Sequence, residues 1–450
     1  MPARDSLGNP VTLQHADSLA ALDDFVLGFI ASEARAANVL AVAAHDHSAI
    51  VQACAAALHM FAETRDAPAQ ATPYAQRALA AAGEATPREA RFAHAVAAWV
   101  DGDVPRAIAL HEEQVREHPR DLASLKLGQY HLFNRGDSPG MLRLALAALP
   151  QAGDVPYLHG MLAFAWEQCH FLPQAEAAAR HAIALRRKEP WAHHALAHVM
   201  LTQGRVREGI AFLREMSDTW TDLNSFMVTH NWWHLALFEL ELGHHDEVLR
   251  LYDDEIWGVV KDYSQDQVNA ISLLARLELA GGDVGNRWDD VARHVAARGA
   301  DHVLPFLDLQ FLYALARAGR IEADMLLASL QAHAASVAPP DRAVWNDICQ
   351  PAARGLLAHA RGDAEGCALH LGSALPRLVE VGGSHAQRDL FAQLHLDALI
   401  RSGHLAGAQN LLQPQLAAQP ESVRLRRQAA QLYRLLGLGE SLAGSGGACP

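Results

Sequence analysis

Large rings, cysteines, basic runs and long apolar runs are all scarce in this chain of 450 residues, and each scarcity excludes something. Aromatic residues make up only 6% of it, while alanine dominates the hydrophobic half. Alanine is the best helix former and lets helices approach closely, so packed helices are favoured over sheets. The five cysteines, Cys54, Cys169, Cys349, Cys367 and Cys449, are scattered, odd in number and without CxxC spacing. That pattern argues against a disulfide framework or a thiolate zinc site and fits a reducing compartment. The N-terminal stretch has no apolar h-region, and no segment reaches the ~18 apolar residues of a membrane span. The expectation is a cytoplasmic protein without a membrane partner.

Positive charge is also sparse. With 51 acidic against 37 basic residues the net charge is −14. A nucleic-acid binder would carry a basic face or stripe. The densest basic cluster here is Arg186, Arg187 and Lys188, placed where a helix should end and where cations complement its dipole. No nucleic-acid partner is expected.

What the chain has is repetition. Its length exceeds what one hydrophobic core usually supports, so several domains or a repeat array are expected. Turns of Gly or Asp recur between amphipathic segments: Gly102-Asp103, Gly204-Arg205, Gly243-His244, Gly281-Gly282, Gly319-Arg320, Gly362-Asp363 and Gly403-His404. The clearest unit begins at Pro190, continues as a first helix to about Gln203, turns at Gly204 and runs on as VREGIAFLREM. Small residues, Ala197 and Gly209, stand where the paired helices cross; Leu196, Met200 and Leu213 supply the bulk between them. The stretches from Pro156 to Arg187 and from Thr229 to about Trp257 follow the same plan. One pair cannot bury its apolar stripe alone, so stacking neighbours makes the core continuous.

The expected fold is therefore all-α, a tetratricopeptide-like α-solenoid: a right-handed superhelix of antiparallel helix pairs. Residues 1–85 read as an N-terminal helical region, with helical patterns at 17–34 and 36–62 and then a polar connection, TRDAPAQATP. Residues 86–436 read as the repeat array, with no interdomain linker. The Gly/Ser-rich residues 437–450 read as a flexible tail.

Several longer stretches carry a resemblance. HGMLAFAWEQ (159–168), WAHHALAHV (191–199), HNWWHLALFELELG (230–243) and YDDEI (252–256) are followed by LARLELAGGDVGNRWDDV (274–291), DHVLPFLD (301–308) and GGSHAQRDLF (382–391). In order and spacing over about residues 85–420, the chain resembles the tetratricopeptide repeat protein 38 family. The resemblance implies an α-helical repeat fold and no settled reaction. Trp166 stands where that family more often has Leu, and Gln310 where His is common.

Candidate site residues follow from the repeat register. In such arrays the first helix of each pair lines the concave surface. His194 and His198 fall on groove-facing positions four apart, hence on one helical face. His230 and His234 repeat the spacing on the next first helix, and Glu167 lies near the end of the preceding one. Neighbouring helices pack about 8–10 Å apart, a gap that facing imidazoles bridge through a metal or small ligand. The i, i+4 pairs have metal-ligand spacing, but neither has the adjacent Glu of an HExxH protease. Asn231 offers an amide donor and acceptor. Trp191 and Trp233 are candidate pocket walls, although aromatic residues at helical spacing are more often core. In GGSHAQRD, Ser384 is a natural helix cap, and His385 with Arg388 could assist an anion at the helix start. The alternative there is a plain capped helix. Asp301, His302 and Asp308 form a further cluster, with Asp308 near a helix start and costly to bury unless paired.

Two functional readings remain open. In one, the chain binds a small molecule, peptide or protein segment in a His/Trp-lined groove. In the other, His194, His198, His230 and His234 form an active-site pocket, with a divalent transition metal as the candidate cofactor. Purely structural histidines remain the third alternative. Self-association is compatible with this architecture, but nothing in the sequence specifies a dimer.

Overall fold

The computed structural model of the protein describes residues 3–438. Most of the expected tail, residues 439–450, lies outside the described residues, as does Cys449.

The recurring glycines end helices by a common device. At Gly204 (φ 68°) and Gly243 (φ 77°) the backbone is left-handed, a conformation that disfavours a β-carbon. The residue after each donates its N–H back to a carbonyl in the last helical turn, Arg205 to Met200 and His244 to Glu239, at 2.9 and 3.0 Å. This is the Schellman closure, which satisfies carbonyls that the helix itself leaves open. Left-handed glycines at 102, 281, 319, 362 and 403 repeat it. After two of these turns an aspartate opens the next helix: Asp103 accepts the N–H of Arg106, and Asp363 that of Gly366. Sequence turns thus become helix–turn–helix pairs, and the fold is all-α, of the tetratricopeptide-like α-solenoid class.

α-Helices of seven or more residues are numbered in chain order. The chain divides into two compact units. The first comprises the described residues up to Val199, with Met216–Asn231. It opens with a two-stranded antiparallel hairpin, Ala3–Arg4 against Pro10–Val11. Then follow α1 (Ser18–Ala31), α2 (Ala49–Met60), α3 (Ala67–Ala81), α4 (Pro87–Val100), α5 (Val104–Glu117), α6 (Leu122–Asn134), α7 (Ser138–Ala152), α8 (Pro156–Gln168) and α9 (Leu172–Leu185). Three helices are shared between the units: α10 (Pro190–Thr202), α11 (Val206–Met216) and α12 (Ser225–Glu241).

The second unit comprises Met200–Glu215 and the described residues from Trp232 onward. It contains α13 (His245–Leu251), α14 (Ser264–Leu279), α15 (Arg287–Val295), α16 (Pro305–Arg317), α17 (Glu322–Ser336), α18 (Gln350–Ala360), α19 (Ala364–Ala374), α20 (His385–Arg401), α21 (Leu405–Ala418) and α22 (Val423–Leu435). Most consecutive helices pack on one another within each unit, as stacked pairs require.

Two local expectations need correction. The second N-terminal pattern, 36–62, is broken: a short helix ends at Val42, and α2 starts only at Ala49. The supposed polar connection at 64–73 is mostly the first half of α3. Pro68 sits in the first turn, where no hydrogen bond is lost, and Ala67, Ala71, Ala75 and Ala78 form a buried stripe at helical spacing. Polar residues on the outer face had hidden that stripe.

Candidate functional site

The site in the first unit begins with α10. Its cap is Glu189, whose buried carboxylate accepts the N–H of Ala192. Gly160 on α8 makes room for that carboxylate, since a β-carbon there would stand 2.5 Å from it. Burial pushes the Glu189 carboxyl up to about 8, against the opposing pull of the Ala192 N–H and Lys126.

His193 is structural: its Nε2 donates to the Arg187 carbonyl at 2.8 Å, and its Nδ1 accepts the Trp220 indole N–H at 3.2 Å. His194 and His198 turn the other way. Their Nε2 atoms are 3.0 Å apart, one donating and the other accepting. The ring of His230, from α12, lies 5.0 Å from that of His194. Each of these three side chains offers a ring nitrogen within 4.8 Å of the others. All three are buried, at 1–2% exposure. Burial, with His198 and His230 as neighbours, pushes His194 well below the ordinary histidine range and keeps it neutral.

Glu167, near the C-terminus of α8, is fully buried and places Oε2 3.4 Å from Nδ1 of His198. The same oxygen accepts an N–H from Gln168 at 2.5 Å. Around the imidazoles stand three aromatic rings. Phe164 lies 5.0 Å from His194 and 5.8 Å from His198, Trp191 lies 5.4 Å from His194, and Phe226 stacks on His230 at 5.1 Å. Trp191 is fixed by an indole hydrogen bond to Ser32 Oγ at 2.9 Å.

The fold brings together five of the residues singled out in the sequence, Glu167, Trp191, His194, His198 and His230. Phe164, Phe226 and Lys126, not singled out in the sequence, lie beside them. The Lys126 ammonium lies 4.1 Å from the Trp191 ring centre and donates to the Ile30 carbonyl at 3.0 Å. Burial pushes this amine down to about 7. A signal was available: Lys126 is one of only three lysines in the chain and stands in an otherwise uncharged helix. The other two, Lys188 and Lys261, form ion pairs with Glu33 and Asp290.

Asn231 follows His230 on α12 and is fully buried. Neither its amide nitrogen nor its amide oxygen has a hydrogen-bond partner among the described residues. At about 100° per residue, His230, Asn231 and His234 share one side of α12.

The remaining candidates belong to the second unit. His234, one turn beyond His230 on α12, is fully buried and meets the ring of Trp233 edge to face at 4.8 Å. Trp233 is core, with the Arg276 guanidinium 5.5 Å from its ring centre. Arg276 in turn donates to the Ala386 carbonyl in the first turn of α20 at 2.5 Å. Gly382 and Gly383 are left-handed, as expected, and Ser384 forms a reciprocal capping box with Gln387. Arg388 folds back to donate to the Gly382 and Gly383 carbonyls and contacts His385 Nδ1 at 3.4 Å. Ser384 thus caps α20, and Arg388 braces its own loop.

Asp308 and His302 also pair, Nδ1 to Oδ2 at 2.6 Å, while Nε2 of His302 meets Ser329 Oγ at 2.7 Å. Burial pushes the Asp308 carboxyl up to about 6. Asp301 pairs separately with Arg298 at 3.1 Å.

The described cysteines are all free thiols. No helix among the described residues is long and apolar enough to cross a membrane. No protein-family model matches the chain. Among solved structures, that of Naa15/Naa10 bound to HypK-THB is similar at 12% identity, covering 95% of this chain and 67% of that one with a TM-score of 0.25. So loose a likeness carries no argument about function.

Proposed function

We propose that this chain is a helical-repeat binding protein that takes a small polar ligand at the His194–His198–His230 site of its first unit. The observation that carries the reading is Asn231, fully buried beside His230 with both amide atoms unsatisfied. Leaving a buried polar group unpaired costs about 1–3 kcal/mol per group. Such a residue is accounted for when a ligand supplies the missing partners. A peptide or protein segment fits less well. His194, His198 and His230 are no more than 2% exposed, so they offer an extended chain no surface to lie on. Membership of the tetratricopeptide repeat protein 38 family remains part of this proposal, carried by the quoted stretches.

A second reading, an enzyme, is favoured by Lys126. An amine pushed to about 7 beside Trp191 can carry a proton in either direction at neutral pH. The two readings share the site and differ in whether the ligand is changed there.

Native mass spectrometry of the untagged chain tests the binding reading. The expected result is a bound mass that disappears in a folded His198→Ala/His230→Ala variant. Identical spectra for the two proteins would overturn it.

A further inference from the structure

We propose that the occupant of this site is a divalent transition-metal ion of the zinc class, held by His194, His198 and His230 with Glu167 behind His198. The proposal rests on the reading above that the site takes a small polar ligand, and it names the ion to which that ligand would be held.

The geometry points to an ion in three ways. First, the nitrogens are almost at ligand spacing. Two imidazole nitrogens bound to one tetrahedral ion at 2.0–2.1 Å stand about 3.3 Å apart. The Nε2 atoms of His194 and His198 are 3.0 Å apart, and all three side chains have ring nitrogens within 4.8 Å of one another. Drawing the widest pair to ligand spacing moves each ring by roughly 0.7 Å, within what side-chain torsions absorb without a change of rotamer.

Second, the support behind the ligands is of the kind metal sites use. A metal-bound histidine usually offers its other ring nitrogen to a carboxylate, which fixes the ring and raises its basicity. Nδ1 of His198 faces the buried Glu167 carboxylate at 3.4 Å, leaving Nε2 for the cluster. Glu167 is itself anchored by Gln168. Third, the rings of Phe164, Trp191 and Phe226 pack against the imidazoles and limit access of water to the site.

The donor set selects the ion. Imidazole nitrogens suit zinc, copper, nickel and cobalt, whereas magnesium and calcium require oxygen ligands. Three imidazoles leave one tetrahedral position for a water or a further ligand.

The test uses the untagged full chain, stripped with chelator and titrated with Co(II), then challenged with Zn(II). Expected are intense tetrahedral cobalt bands saturating at one ion per chain and bleached by zinc. His198→Gln/His230→Gln should weaken binding at least 100-fold, and Glu167→Gln by about 10–100-fold, the usual effect of removing an outer partner. Where a variant fails to fold by circular dichroism, the wild-type cobalt spectrum decides. Tetrahedral bands at one ion per chain support the site; weak octahedral bands or no saturation overturn it. Should wild type bind no metal while native mass spectrometry still shows a molecule lost in the His198→Ala/His230→Ala variant, the metal is wrong and the ligand reading stands. Loss of both metal and molecule would overturn the two together.

Discussion

Gly209 on α11 lies against the ring of Phe238 on α12 so closely that a β-carbon at 209 would overlap that ring. Phe238 is fully buried, so its ring lies among close-packed neighbours. Gly209→Ala should therefore lower the melting temperature, since overpacking of about 1–3 kcal/mol exceeds the ~1 kcal/mol gained in helix propensity. Gly407→Ala is the control. A β-carbon there meets only Leu399 Cδ1, at an ordinary 3.9 Å, so that variant should melt at or above wild type. Equal shifts in calorimetry would show that close packing at 209 is unimportant.

Asp308 makes stability depend on pH in an unusual direction. Its folded pKa of about 6 lies above the unfolded value. The native state thus holds the proton more tightly, and the stabilisation present below about pH 4 is lost as pH rises through 6. Relative to Asp308→Asn, wild type should lose about 3 kcal/mol between those limits. Denaturant unfolding of both proteins at pH 4 and pH 7 measures the difference; a constant gap would contradict the raised pKa.

Lys126 works in the opposite sense. Its folded pKa of about 7 is depressed by burial, so stability is fully present above the unfolded pKa and is lost as pH falls through 7. Lys126→Met keeps the side-chain bulk and removes the titration. Its melting temperature relative to wild type should be higher at pH 6 than at pH 9. An unchanged difference would mean that the ammonium stays charged in the fold, and would remove the support for the enzyme reading.

Asn231→Leu separates stability from function. An apolar residue of similar size ends the cost of two unpaired amide atoms, so the ligand-free protein should gain about 1–2 kcal/mol while losing the bound mass. A fall in melting temperature with ligand retained would show that the amide is already satisfied.

Much of this was legible from the chain alone. The glycine turns were, because a left-handed residue is needed wherever a helix closes by the Schellman pattern. So was the site's core, since i, i+4 histidines must share a face. The rarity of Lys126 was legible but its inward direction was not: helical periodicity assigns a lone lysine to solvent, and only the position of α6 against Ser32 and Trp191 takes it inward. The α3 helix was missed because its seam is only alanine, which hydropathy ranks near neutral. The link from His302 to Ser329 spans 27 positions, beyond any local pattern.

That alanine seam bears on how the protein can change over generations. In α3 the buried side chains are Ala67, Ala71, Ala75 and Ala78, and in α9 they are Ala175, Ala179 and Ala182. Along these seams the fully buried contacts are methyl groups, so these positions have a ceiling on volume but little demand for a particular chemistry. Substitutions to glycine or serine should persist there, while anything larger forces neighbouring helices apart. The outer faces carry no such ceiling. In a saturation library, tolerance along α3 and α9 should rise and fall in steps of three and four residues, so that the spacing of the intolerant sites alone would recover the packing of the two helices.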